Sequence, residues 1–263
     1  MAIFQFNDAE IYYEVHGSGY PVILIAGYTA DHQVWTPILD KFSQYFQLIL
    51  LDNRGVGRTK DTAELLTAEL LAADVLALID ELKLTRPHVF GHSMGGTVAQ
   101  TVAATAPDKI GKLALVNTAA KWRKAAINNL YSLLQMRKAN VNFDLIFAAM
   151  ISTVFGDAFL NDAEAVDKLK ALNLSNPYPQ SLNDQIRQFN IVTSYDGRSA
   201  LNAIKAPTTI IMGIEDFLSL PADSEYLVKN ISQAKMLTFN CAHVPMLELP
   251  NEFTAQMLRF LRE

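Results

Sequence analysis

The spacing of apolar and polar residues changes twice along this chain. Up to about residue 118, short apolar runs alternate with segments of helical period. Ile3, Phe4 and Phe6, a turn at Asn7-Asp8 and the run Ile11-Tyr12-Tyr13-Glu14-Val15 predict a hairpin at a sheet edge. Pro21–Ile25 and Phe46–Leu51 are continuous apolar runs, the pattern of strands buried on both faces of a parallel sheet. A helix is expected around Val34 to Phe42. A second runs from Thr67 to Leu84, where Leu70, Leu71, Val75, Leu78, Ile79 and Leu82 share one face. Val89-Phe90 and Lys112–Asn117 predict two more strands, with a helix starting at Gly96 between them.

From about Ala119 to Asp196 the alternation stops. This stretch reads as mostly helical, with Trp122, Leu130, Tyr131, Leu134, Phe143, Ile146, Phe147, Met150 and Phe155 as apolar positions and a break at Asn176-Pro177-Tyr178-Pro179. The rhythm resumes with a strand at Pro207–Gly213, a helix at Pro221–Asn230, a strand at Lys235–Phe239 and a last helix from about Asn251 to Leu261. Buried strands alternating with helices imply an α/β fold, here with a mostly parallel eight-stranded sheet covered on both faces. Residues 1–118 and 197–263 form its core in this reading, and 119–196 an inserted helical cap.

Composition narrows the class. Half of the 263 residues are hydrophobic and 19% are charged, as expected of a packed globular protein. A formal charge of −5 gives no case for nucleic-acid binding. Cys241 is the sole cysteine, which excludes intrachain disulfides and cysteine-based metal sites. No apolar run approaches the ~18–20 residues that cross a bilayer. The first residues lack the basic and apolar regions of a signal peptide, so a cytoplasmic protein that does not enter membranes is expected. Neither a metal-ligand spacing nor a Gly-rich phosphate loop appears, so no metal and no cofactor are expected.

The chemistry points to Gly91-His92-Ser93-Met94-Gly95. This Gly-x-Ser-x-Gly pentapeptide lies between a strand and a helix, the setting in which a serine is presented on a sharp, strained turn as a nucleophile. The bare pattern also arises by chance, so the partners decide. A base must take the serine proton and an acid must orient the base, in the chain order Ser, acid, His. His243, just after the last expected strand, is the only histidine beyond the inserted stretch. The acid should close the preceding strand, where Glu215 and Asp216 both stand. Two backbone donors for an oxyanion are expected from Met94 and Tyr28. The Tyr28 side chain reads equally as a packing residue or a substrate contact.

These motifs resemble the α/β-hydrolase family over nearly the whole chain. Gly91–Gly96 resembles its nucleophile turn, Asp52-Asn53-Arg54-Gly55-Val56-Gly57 its structural Asp-x-Arg-Gly-x-Gly turn, and His243 through Glu248-Leu249-Pro250 its His-x-x-x-x-Glu-x-Pro tail. The resemblance selects Asp216 as the acid, and implies packing for His92. One departure stands out. The family usually has His-Gly at the oxyanion loop, whereas this chain has Ala26-Gly27, so support for that loop must come from elsewhere. His16, His32 and His88 read as surface or loop residues, and Cys241 as a small core residue.

A serine at the turn disfavours the epoxide-hydrolase and haloalkane-dehalogenase branches, which use aspartate there. The resemblance thus implies acyl chemistry on esters, thioesters or lactones, with C–C bond hydrolysis, perhydrolysis or a slowly hydrolysing ligand receptor as alternatives. Trp122, Phe143 and Phe147, with Tyr28, are the candidate lining of an apolar substrate site. Between Ala119 and Phe143 stand five basic residues (Lys121, Arg123, Lys124, Arg137, Lys138) and no acidic one. Such a face could dock an acyl carrier protein, as in the similar pimeloyl-carrier-protein methyl esterases. Oligomeric state is not legible in the sequence.

Overall fold

The computed structural model describes residues 2–262. Strands β1 (Ala2–Phe6) and β2 (Ala9–His16) form the expected hairpin and lead into β3 (Tyr20–Ile25). Helix α1 (Thr36–Phe42), strand β4 (Phe46–Leu51) and the two-residue strand β5 (Lys60–Asp61) follow. Helix α2 (Ala68–Glu81) is capped by Thr67, whose hydroxyl accepts from the Leu70 N–H at 3.1 Å. Then come β6 (His88–His92), α3 (Met94–Thr105) and β7 (Leu113–Val116).

Five helices occupy the chain between β7 and the next strand. They are α4 (Lys124–Lys138), α5 (Phe143–Val154), α6 (Asp157–Leu160), α7 (Ala163–Leu174) and α8 (Leu182–Ser194). The alternation then returns with β8 (Thr208–Gly213), α9 (Pro221–Asn230) and β9 (Ala234–Phe239). Helices α10 (Pro245–Glu248) and α11 (Pro250–Arg262) close the chain. Asp223, in the first turn of α9, caps the helix by accepting the Leu220 N–H at 2.9 Å.

Among the described residues all strands join one sheet, in the order β1-β2-β4-β3-β6-β7-β8-β9 with β5 beside β2. It is parallel from β4 to β9 and antiparallel at the β1, β2 and β5 edge. The expected eight strands become nine, because Lys60–Asp61 pairs antiparallel with β2. Two residues carry no periodicity, which is why β5 is invisible in the sequence.

Period-2 alternation splits the core between the two faces. Ile23 and Ile25 pack with Leu71, Val75 and Val98 on one side, while Val22 and Leu24 pack with Trp35, Phe42, Phe253 and Met257 on the other. Two histidines read as surface or loop residues are instead buried. His88 opens β6, with its Nδ1 accepting the Lys112 N–H at 2.9 Å and its ring stacked on Tyr20. His32 lies in a 3-10 turn with its Nδ1 2.6 Å from Asp52 Oδ1. Both lie against strands that become neighbours only through folding. Cys241 is buried as expected, and burial raises its thiol pKa, which leaves it a packing group.

Among the described residues no helix is long and apolar enough to cross a membrane. Asp31, His32 and Asp52 offer ligand atoms within 4.8 Å of one another. Folding brings Asp52 into this group, so sequence spacing did not disclose it. The group already serves as hydrogen-bonded turn structure: Asp52 accepts the backbone N–H groups of His32 and Arg58, and Asp31 that of Gln33.

Candidate active site

The turn from β6 into α3 places Ser93 at φ 53° and ψ −122°, a strained conformation for a side-chain-bearing residue. Glycines make this approach possible. A Cβ on Gly91 would lie 2.3 Å from the Gly95 carbonyl oxygen, and one on Gly95 would lie 2.3 Å from that of Ile25. The turn is pinned by the Ser93 N–H donating to Val116 O at 2.9 Å and the Thr118 hydroxyl donating to Ser93 O at 2.8 Å.

His243 and Asp216 come from loops after β9 and β8, and both reach Ser93. His243 Nε2 is 2.9 Å from Ser93 Oγ, and its Nδ1 is 2.8 Å from Asp216 Oδ2. The carboxylate can only accept, so the imidazole proton sits on Nδ1. The Nε2 lone pair is left facing the serine hydroxyl. The pair that sequence left open is also separated. Glu215 turns away and accepts the Asp157 N–H at 3.1 Å.

Asp216 is held by four donors. Its Oδ2 accepts from His243, from Asn117 Nδ2 at 2.8 Å and from Ser219 Oγ at 2.6 Å, while Oδ1 accepts the Leu218 N–H at 2.7 Å. Burial opposes its charge, but the His243 charge and these hydrogen bonds outweigh burial and hold its pKa below the ordinary carboxylate value. Asn117 and Ser219 were missed in the sequence. A polar residue ending the buried run Leu113–Val116 was a usable signal for Asn117, and nothing marked Ser219.

His92 does more than pack. Its Nε2–H donates to the His243 carbonyl at 2.8 Å, tying the serine strand to the histidine loop. Burial first, then the His243 charge, pushes this imidazole down to about 3. The unfolded chain protonates near pH 6.5, so below that the unfolded state binds more protons and stability falls with pH. By about pH 5 the loss is about 2 kcal/mol. His92→Gln keeps a donor for the carbonyl without this titration. Urea unfolding is expected to show it losing less stability than wild type between about pH 7 and 5.

The histidine loop is also bound to the helices between β7 and β8. The His243 N–H donates to Val154 O at 3.0 Å. Glu248 accepts from Ala242 and Val244, on either side of His243, at 3.1 Å, and from Gly156 at 2.9 Å. Burial raises the Glu248 pKa against these hydrogen bonds. Both of its oxygens face N–H donors, so Glu248→Gln must turn an amide NH₂ onto one of them. A loss of about 1–3 kcal/mol in urea unfolding is expected.

The oxyanion loop lies beside the serine, since a Cβ on Gly27 would be 3.1 Å from the Ser93 Cβ. Met94 is the first residue of α3, so its N–H has no partner within the helix. The Tyr28 side chain packs under α8, with its hydroxyl 3.3 Å from Gln185 O and its ring 6.0 Å from Phe189. The other candidate lining residues are more dispersed. Trp122 is buried and walls a cavity of about 300 Å³ with Lys121, Arg123, Arg198 and Tyr226. Phe147 is buried, and Phe143 stacks on it while remaining 38% exposed.

Comparisons with known proteins point to the same fold. RutD of Azorhizobium caulinodans, whose name proposes carbamate hydrolysis, is 26% identical over 98% of this chain and 97% of its own. A 3-oxoadipate enol-lactonase of Acinetobacter baylyi is 28% identical over 85% of this chain and 81% of its own. A pimeloyl-[acyl-carrier protein] methyl ester esterase of Nitrosomonas europaea is 25% identical, with 94% and 98% covered. A thermophilic esterase structure from Thermogutta terrifontis superposes with a TM-score of 0.83 at 26% identity, covering 97% of this chain and 93% of that one. The sequence model described as alpha/beta hydrolase fold matches residues 20–250. With a parallel sheet, a strained serine at the β6–α3 turn and partners from the β8 and β9 loops, the chain belongs to the α/β-hydrolase family.

Proposed function

We propose that this protein hydrolyses carboxylic esters, lactones included, through an acyl-enzyme formed on Ser93. The chain is an ester-hydrolysing enzyme of its family, and its relatives include an enol-lactonase and a methyl ester esterase. The observation that carries the serine mechanism is the unbroken series Ser93 Oγ, His243 Nε2, His243 Nδ1, Asp216 Oδ2, with both links under 3 Å.

Ser93 attacks the acyl carbon while His243 takes its proton, and Asp216 holds the imidazole and stabilises its charge. The oxyanion rests on the backbone N–H groups of Met94 and Tyr28. His243 then returns the proton to the leaving alcohol, activates water and frees the acid and the serine. Residues 119–196 act as a cap over this site. Ser93 is only 8% exposed and His243 3%, in keeping with a reaction run out of bulk water.

A fluorophosphonate should add one phosphonyl group per chain, located by peptide mass on the segment holding Ser93. p-Nitrophenyl esters from acetate to decanoate should show a chain-length optimum. Labelling elsewhere, or none, would remove the serine mechanism.

A second, finer reading has support from the esterase of Nitrosomonas europaea, namely a methyl ester carried on an acyl carrier protein. The basic stretch offers it only part of its charge. Lys121 pairs with Asp196 at 3.0 Å and Arg123 with Asp223 at 2.8 Å. Neutralising Lys121, Arg123 and Lys124 should weaken turnover of carrier-bound ester and spare small esters. Equal effects on both would exclude carrier docking.

A further inference from the structure

The loop Ala26-Gly27-Tyr28-Thr29-Ala30 lacks the histidine usual at its start, yet it is firmly held. Asn53, buried in the Asp52–Gly57 turn, donates from Nδ2 to Ala26 O at 2.9 Å, which fixes the peptide between Ala26 and Gly27. Gln188, fully buried on α8, accepts the Thr29 N–H on its Oε1 at 3.0 Å, which fixes the peptide between Tyr28 and Thr29. The peptide carrying the Tyr28 N–H is the one between these two anchors.

Gln188 is itself oriented by its partners. Its Nε2 donates to Arg54 O at 2.8 Å, and its Oε1 also accepts from Gln180 Nε2 at 3.1 Å. A flipped amide would put NH₂ against the Thr29 N–H, so the assignment is determined. Thr29 has φ 62°, which is costly for a β-branched residue and persists only when the surroundings impose it. The Gln188 oxygen is the group that receives this peptide.

We propose that Gln188 is a positioning residue for the oxyanion hole, and that α8 must be docked for the Tyr28 donor to be aimed. One anchor of the loop belongs to the core and the other to the inserted helices, so transition-state stabilisation depends on the insertion being in place. The proposal rests on Tyr28 serving as an oxyanion donor, and deepens that reading.

Gln188→Met and Gln188→Leu remove all three hydrogen bonds of this side chain while filling much of the same space. Each is compared with wild type and with Asn190→Ala. Asn190 also ties α8 to the core, through Nδ2 to Leu66 O at 3.0 Å, but lies off the oxyanion loop. Circular dichroism confirms folding, and kcat, KM and the inhibition constant of phenylboronic acid are measured with p-nitrophenyl butyrate. The boronic acid adds to the serine oxygen and places an oxygen where the oxyanion forms.

The expected result for both Gln188 variants is a fall in kcat of about 10- to 100-fold. KM should stay within about threefold and the boronic acid should bind more weakly by a factor like that in kcat. Asn190→Ala should leave all three quantities near wild type. The proposal is overturned if kcat and boronate affinity stay within about twofold of wild type in the Gln188 variants, or if Asn190→Ala matches their losses. A wild-type protein with neither Ser93-dependent turnover nor boronate inhibition would instead overturn the serine mechanism itself.

Discussion

Ser93→Ala is expected to lower ester turnover by about 10⁴- to 10⁶-fold and leave the fold intact. The hydroxyl is the only group lost. The backbone bonds from Ser93 N–H to Val116 O and from Thr118 to Ser93 O do not involve the side chain. Alanine also leaves His243 Nε2 beside an empty position, where water is a poor substitute for an aligned oxygen nucleophile. The residual rate comes from the oxyanion donors and substrate positioning alone. Steady-state hydrolysis of p-nitrophenyl butyrate by equal amounts of folded wild type and variant decides the matter. A variant keeping even a tenth of the wild-type rate would mean another nucleophile.

Asp216→Asn is expected to cost about 10⁴-fold in kcat, nearly as much, for a different reason. Asp216 Oδ2 faces three donors, from His243, Asn117 and Ser219. An asparagine oxygen in that position keeps Asn117 and Ser219 satisfied but removes the charge that stabilises the imidazolium. Turned the other way, its NH₂ faces His243 Nδ1 and forces the proton onto Nε2, where it blocks acceptance from Ser93. Glu215→Gln serves as the matched control. Glu215 supports the Asp157 N–H rather than the imidazole, so its replacement should change kcat by less than about threefold. Comparable losses from both substitutions would mean that the carboxylates share the role.

The parts legible in the sequence are those written as local pattern. Continuous apolar runs marked β3, β4, β6, β7 and β8, and the helical face from Leu70 to Leu82 marked α2, within a few residues of their limits. The serine announced itself because a strained turn needs glycines at fixed offsets. His243 was reachable by its place after the last strand, and Asp216 only with the help of resemblance. Buried side chains that work through long-range bonds were not legible. Asn117 and Gln188 meet their partners across 99 and 159 positions of chain, and Ser219 meets Asp216 across 3. Only Ser219 lies near its partner, and a serine in a loop is too common to stand out. The buried His32 and His88 were misread for a related reason, because their surroundings come from segments far away in the chain.

The bond from His243 to Val154, with Gly156 and Asp157 on Glu248 and Glu215, has a consequence for protein engineering. Residues 154–157 look like a connector between two helices and an obvious junction for trimming or swapping. They are instead a splint for the loops that carry His243 and Asp216. A chimera that grafts another relative's helices onto this sheet must therefore be cut on either side of that splint, never through it. Removing residues 119–196 altogether would leave the His243 loop without these braces, and ester turnover is expected to be lost with them.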